Sequence, residues 1–143
     1  MNKYDTLKLS NQICFPLYAC SREIIKKYHT PLKDIDLTYP QYITMMVLWE
    51  EGEVSVKELG KRLYLDSGTL TPLLKKLESK GYITRQRSST DERVLIVSMT
   101  EEGEKLKERA VDIPTKFASC ARLEPEEAAE LYRLLYKLLK VLE

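Results

Sequence analysis

Apolar positions in the first part of the chain recur at helical spacing. Ile13, Leu17, Ile24, Ile25 and Tyr28 share one face of residues 12–29, and Thr30-Pro31 is the predicted stop. Thr38-Tyr39-Pro40 punctuates the chain again, and residues 41–50 read as a buried helix ahead of Gly52. Residues 56–63 predict a short amphipathic helix with Leu59 and Leu63 on one side. A second helix opens at Asp66-Ser67, both good caps, and runs to Lys80 with Leu70, Leu73, Leu74 and Leu77 inward; Gly81 ends it.

The period then changes. Residues 82–87 and 94–99 are short β-branched and apolar segments joined by the polar turn Ser88-Ser89-Thr90-Asp91, which reads as a hairpin. Helical spacing returns after Thr100, a plausible cap, and runs through Val111, with Pro114 interrupting or bending it. A final helix starts near Glu124-Pro125 and carries a stripe of Leu131, Leu134, Leu135, Leu138, Leu139 and Leu142. Helix, tight turn, helix, hairpin is the order of a winged helix-turn-helix. The expected fold class is therefore mainly α with a small β-hairpin wing. No repeat or linker divides the chain, so residues 1–143 read as a single protomer, with the winged helix-turn-helix in 41–100. The terminal segments, 1–40 and 101–143, are more apolar on one face than a monomer of this size needs, and are expected to be mainly dimerisation helices in a homodimer.

Composition adds exclusions. The 143 residues are 43% hydrophobic and 31% charged, an ordinary balance for a globular protein. The longest apolar run, residues 43–49, is too short to span a bilayer, and the first twelve residues lack a secretion segment, so a cytoplasmic protein without membrane contact is expected. Three cysteines and one histidine show no metal-ligand spacing, and an odd cysteine count argues against a secreted disulfide framework; no cofactor is expected. Cys20 reads as a small buried hydrophobe. The net charge of +1 hides a distribution: residues 54–100 carry nine basic and five acidic groups, and the two flanks together are net negative. A basic middle between acidic ends suggests contact with a polyanion.

That middle holds suitable chemistry. Ser67, Thr69 and Thr71 open the second helix with short hydroxyl side chains that let backbone approach a groove, and Lys75 and Lys76 neutralise phosphate. Pro72 removes one bond from this helix, so a local bend is expected. Arg85, Gln86, Arg87 and Arg93 flank the hairpin tip, and an Arg there can enter a minor groove. Asp91, two residues before Arg93, is placed to hold it extended.

Residues 91–103, Asp91-Glu92-Arg93 through Thr100-Glu101-Glu102-Gly103, resemble the wing signature of the MarR family of bacterial regulators, which are dimeric winged-helix repressors. Residues 65–76 resemble the recognition helix of its OhrR branch, which senses organic hydroperoxides. Residues 11–18, Tyr28 and residues 37–42 match that branch too. The resemblance implies that Cys14 is a peroxide-reactive thiol and that Tyr28 and Tyr39 hydrogen-bond it from the other subunit. It further implies that Cys120 resolves the oxidised Cys14 as an intersubunit disulfide, with a low-molecular-weight thiol as the alternative resolving partner. Pro16 departs from the branch, where an aliphatic residue stands, and leaves two starts for the first helix: Asn11 as its cap, or Pro16 as its first residue.

Elementary physics gives two of these expectations separate support. Either start puts Cys14 near a helix N-terminus, which stabilises a thiolate, the form that attacks a peroxide oxygen to give sulfenic acid. Tyr28 follows Cys14 by fourteen residues, about 21 Å along a helix with little angular offset. The two face the same way and cannot touch within one helix, whereas two antiparallel helices of a dimer would bring them together. Phe15, Tyr18, Tyr42, Met45 and Met46, with Trp49, are candidates for an apolar peroxide pocket, though core packing explains Met45, Met46 and Trp49 equally well. The expected function is a redox-sensing repressor, not an enzyme, that binds a pseudopalindromic double-stranded DNA operator and leaves it when organic hydroperoxide oxidises Cys14. A MarR-type repressor released by a phenolic or other small ligand, with Cys14 passive, is the alternative. A thiol peroxidase ranks below both, because it leaves the basic wing unexplained.

Overall fold

The computed structural model describes residues 2–143. Two short 3-10 turns, Lys3–Leu7 and Leu9–Asn11, precede helix α1, Cys14–Lys33. Asn11 does not cap α1. It closes the second turn, and its side-chain amide donates to the Asp5 carbonyl at 2.7 Å. Pro16 is the third residue of α1, a position whose N–H has no intrahelical partner in any helix, so the ring costs no hydrogen bond.

The predicted stop at Thr30-Pro31 is passed: α1 continues to Lys33. One bond lost in a last turn is a small penalty, and that turn is anchored by Leu32, which is buried. The chain then reverses tightly. Asp36 takes a left-handed conformation, and the Leu37 N–H returns to the Leu32 carbonyl at 3.1 Å. Helix α2, Tyr39–Glu51, starts two residues before the predicted helix, because Thr38 forms a reciprocal capping box with Gln41 and Pro40 fits the first turn.

A short strand that the sequence pattern had not separated follows, β1, Glu53–Ser55. Next come α3, Val56–Leu63, and α4, Ser67–Ser79, joined by a turn in which Tyr64 is left-handed and the Leu65 N–H meets the Gly60 carbonyl at 3.0 Å. A Cβ at Gly60 would stand 2.9 Å from the Leu65 carbonyl oxygen, so a glycine is needed where the two helices cross. Helix α4 continues through Pro72. Strands β2, Ile83–Arg87, and β3, Leu95–Met99, form the expected hairpin, and β1 adds to its far side in the order β1-β3-β2, all antiparallel. Val97 is the register point, paired with both Val54 and Arg85, and is fully buried.

Thr100 caps α5, Glu101–Ala110, which ends one residue before the predicted limit. Helix α6, Ile113–Ala121, takes Pro114 as its second residue, so the proline starts a helix rather than bending one. Helix α7, Pro125–Leu142, has Glu124 as its cap. No helix among the described residues is long and apolar enough to cross a membrane.

Two units are distinguished, one up to Ile113 and one of Pro114–Glu143. The core of the first is a single cluster running from Leu32 to Ile113, to which α4 contributes the four leucines read from its spacing. Trp49 locks α2 to α5 by donating its indole N–H to the Gly103 carbonyl at 2.9 Å. Arg62 ties α3 to the end of α2 through Glu50 and Glu51 at 2.8 and 3.0 Å. In the second unit no residue of α7 is buried, and its leucine stripe is largely exposed.

Gly103 has the closest surroundings of the five glycines. A Cβ there would run into the Tyr82 carbonyl oxygen and come within 2.9 Å of Met99 Cγ and 3.3 Å of Met45 Cε. Gly103→Ala is expected to lower unfolding stability by about 1–3 kcal/mol, the range for overpacking a dense core. A urea titration reads this directly, and an unchanged midpoint would mean that α5 moves aside freely.

Candidate redox site and nucleic-acid interface

Cys14 is the first residue of α1. Ile13 ahead of it already has helical dihedrals, and no side chain caps the free N–H groups of the first turn. The thiol is exposed, as are those of Cys20 and Cys120. The burial expected of Cys20 is therefore not seen: α1 buries only Leu32, and Cys20 lies on its open surface. Ile24, Ile25, Phe15 and Tyr18 are likewise exposed, and of the apolar face read from the sequence only Leu17 and Tyr28 are partly covered within the chain.

Unbroken helix from Cys14 to Tyr28 places the two about 21 Å apart along the axis, on nearly the same side. At the far end Tyr28 joins an aromatic cluster. Its ring centroid lies 5.0 Å from that of Tyr39 and 6.0 Å from that of Tyr42, and Tyr42 meets the edge of Trp49 at 6.4 Å. Burial pushes the Tyr42 phenol up to about 12, with Tyr28 and Tyr39 adding to the rise. Burial also raises Tyr28, helped by Tyr39, and by itself raises Tyr39. All three are thus neutral O–H groups over the physiological range, able to donate to an anion.

The residues read as a peroxide pocket divide between core and surface. Met45 and Tyr42 are buried in the central cluster, Tyr42 against the rings of Tyr28, Tyr39 and Trp49. Phe15, Tyr18 and Met46 are exposed, and the Tyr18 hydroxyl accepts a bond from Arg22 Nη1 at 3.2 Å. Cys120 lies on α6 in the second unit.

The recognition helix α4 has two faces. Leu70, Leu73, Leu74 and Leu77 are buried, while Ser67, Thr69, Thr71, Lys75 and Lys76 are exposed. Asp66 caps it by accepting the Thr69 N–H at 3.1 Å, and bonds from the Thr69 side chain and backbone hold its carboxyl below the usual range. At the hairpin tip Asp91 grips Arg93 in a fork, Nε at 3.1 Å and Nη2 at 3.2 Å, and also accepts the Arg93 backbone N–H at 3.0 Å. Arg93 nonetheless stays 91% exposed, so the carboxylate orients the guanidinium without covering it. Arg87 is exposed beside it.

Arg85 differs from the tip position expected of it. Alternation along β2 turns it to the side of buried Ile83, toward α4, where its Nη2 reaches Glu78 Oε1 at 3.0 Å. Glu78 had not been singled out, because nothing in the sequence pairs a helix-end carboxylate with a strand arginine seven residues on. The opposite charges across a Gly81 turn were the available signal.

Comparison with known proteins places this arrangement. The model of the transcriptional regulator SarA/Rot family matches residues 26–110. The organic hydroperoxide resistance transcriptional regulator of Bacillus subtilis (strain 168) is 50% identical over 141 residues, 99% of this chain and 96% of that protein. The chain belongs to the MarR family of winged-helix transcriptional regulators, in its organic hydroperoxide branch. SarZ, an HTH-type transcriptional regulator of Staphylococcus aureus (strain MRSA252), is 47% identical over 123 residues, 86% of this chain and 83% of its own. Among solved structures, reduced AbfR bound to DNA matches with TM-score 0.80 and 35% identity over 99% of both chains. AbfR of Staphylococcus epidermidis in its disulfide form matches with TM-score 0.66 and 36% identity, over 96% of both. In this MarR-type chain, then, the helix-turn-helix and wing are built as read from the pattern, and β1 is the strand that the pattern left out.

The raised phenols set a pH dependence. A tyrosine with an ordinary value near 10 when unfolded, held higher when folded, contributes stability below pH 10 that is lost as pH rises through the folded value. Stability is expected to fall between about pH 10 and about pH 12, and Tyr42→Phe to flatten that fall. Denaturant midpoints measured across this range would contradict the cluster's burial if the two proteins declined in parallel.

Proposed function

We propose that the chain acts as a homodimeric, DNA-binding repressor whose grip on its operator is controlled by the oxidation state of Cys14. The observation that carries this is the uninterrupted helix between Cys14 and Tyr28. It holds a thiol at one end and Tyr28, packed beside the α2 phenols Tyr39 and Tyr42, near the other, too far apart to meet within a chain, and Phe15, Tyr18, Ile24 and Ile25 are exposed between them. Antiparallel packing of two α1 helices covers those side chains and sets Cys14 of one protomer beside Tyr28 and Tyr39 of the other. The open terminal apolar surface of α7 supports the same dimeric assembly.

In the reduced state each head offers a recognition helix with exposed hydroxyl and lysine side chains, and a wing whose Arg93 is pre-oriented by Asp91. The pair would fit successive major grooves roughly 34–36 Å apart, with Arg93 entering the flanking minor groove. Ser67, Thr69 and Thr71 meet the groove, and Lys75, Lys76 and Arg87 meet phosphate.

Oxidation proceeds at sulfur. The Cys14 thiolate attacks the outer, hydrogen-bearing peroxide oxygen, the O–O bond breaks, and the alkoxide leaves and takes a proton from water, so that sulfur becomes sulfenic acid and the peroxide is reduced to an alcohol. The hydroxyl groups of Tyr28 and Tyr39 donate to the thiolate before the step, and must rearrange around a larger, protonated product after it. Condensation with a second thiol, from exposed Cys120 or a low-molecular-weight thiol, releases water and fixes the change as a disulfide. The exposed apolar side chains of Phe15, Tyr18 and Met46 favour an organic hydroperoxide over hydrogen peroxide, while Tyr42 and Met45 back the phenol cluster from the core. A coupling of about 1–3 kcal/mol suffices for a 5- to 150-fold change in affinity.

The test uses reduced full-length protein and a labelled duplex selected by it from randomised DNA, with binding followed by fluorescence anisotropy. Cumene hydroperoxide is expected to release wild-type protein, and Cys14→Ser to bind equally well and stay bound. Release of Cys14→Ser by the same oxidant would remove Cys14 from the mechanism. Intact mass under non-reducing conditions distinguishes a bridged dimer from a small-thiol adduct.

A further inference from the structure

Glu78 stands in the last turn of α4 and Arg85 at the middle of β2, on either side of the turn that leads from recognition helix to wing. One Glu78 oxygen accepts the Arg85 backbone N–H at 3.1 Å and the other accepts Nη2 at 3.0 Å. A single carboxylate thus holds both the strand and its side chain. Strand β2 is at the edge of the sheet, so this N–H has no neighbouring strand on its outer side. The Arg85 side chain is only 19% exposed, and its Nε is buried without a hydrogen-bond partner, so the group is committed to this contact. Besides the backbone bonds of the turn itself, Gly81 N–H to the Glu78 carbonyl at 2.9 Å and Tyr82 N–H to the Leu77 carbonyl at 3.1 Å, the links here are apolar, with Leu77 and Ile83 both in the core, and apolar contact carries little directional preference. A two-point, charge-assisted contact does fix direction.

The hairpin beyond Arg85 is itself closed. The Ser88 N–H donates to the Val94 carbonyl at 2.8 Å, and the Val94 N–H to the Asp91 carbonyl at 3.0 Å. The angle at Arg85, together with the pairing of β3 on β1, therefore sets the position of Arg93. We propose that Glu78 is a positioning residue for DNA binding: through Arg85 it fixes the wing's angle to the recognition helix, so that Arg93 and the exposed face of α4 engage one duplex together. Glu78 touches no DNA itself. The proposal rests on the DNA-binding reading given above.

Glu78→Gln keeps the size of the side chain and removes its charge. In the reduced full-length protein, with the selected duplex, it is expected to weaken binding about tenfold, the change that corresponds to about 1.4 kcal/mol at 25 °C. The discriminating readout is additivity. Arg93→Ala should lose much less affinity in the Glu78→Gln background than in wild type, whereas Lys75→Ala, on the recognition helix, should lose the same in both. Arg85→Lys keeps the charge and the backbone bond but loses the Nη2 contact to Glu78; it is expected to give the same pattern at smaller amplitude, and serves if Glu78→Gln fails to fold. An Arg93→Ala loss that is the same in every background would overturn the positioning role while leaving DNA binding intact. Failure of reduced wild-type protein to bind any selected duplex would overturn the DNA-binding reading, and this inference with it.

Discussion

The stiffness of α1 governs how the rest of the molecule can work. Twenty residues of continuous helix separate a thiol at one end from a phenol cluster near the other, and a helix neither shortens nor folds back to close about 21 Å. Pro16 and Pro31, the two residues capable of breaking it, fall in its first and last turns, where a missing N–H matters least. Almost all of its surface is left uncovered by its own chain. A helix so exposed and so apolar on one side needs a partner, and the proposed partner is a second α1 running the other way. Sensor and dimer then become one construction: the same packing that hides the apolar face completes the thiol's surroundings.

The cluster at the far end connects this helix to the head. Tyr28 packs at a tilt against Tyr39 and Tyr42, Tyr42 meets Trp49, and Trp49 bonds the backbone of α5 at Gly103, where there is no room for a Cβ. Interiors this dense shift between discrete arrangements rather than deforming smoothly. A rearranged phenol pair has a short mechanical path to the elements that carry α4. The reversal after α1 is also strapped to the head: Lys80 at the end of α4 bonds Asp36, and Arg109 of α5 bonds the Asp34 carbonyl.

Much of this was legible in the order of residues. The four leucines of α4, the Asp66 cap, Gly81 as terminator and the hairpin follow from spacing alone, because each is a local rule obeyed locally. The fork between Asp91 and Arg93 was legible for the same reason, with only Glu92 between them. What escaped the pattern is non-local. Strand β1 is three residues long and exists only because β3 offers it an edge. Arg85 looked like a free tip arginine until sheet alternation turned it onto Glu78. Cys20 looked buried because thiols usually are, yet α1 has almost no interior side within the chain. The role of Cys14 illustrates the same limit: its place at a helix start was readable, while its proposed surroundings belong to another molecule.

Mixed dimers test the shared site most directly. One chain carries Cys14→Ser with Tyr28 intact, and the other carries Tyr28→Phe with Cys14 intact. If the site is built across the interface, the mixed dimer contains one complete site. Trapping of sulfenic acid with dimedone should then proceed at the wild-type rate to half the wild-type extent, far faster than in the Tyr28→Phe homodimer. A mixed dimer that reacts no faster than that homodimer would contradict a site shared between two chains.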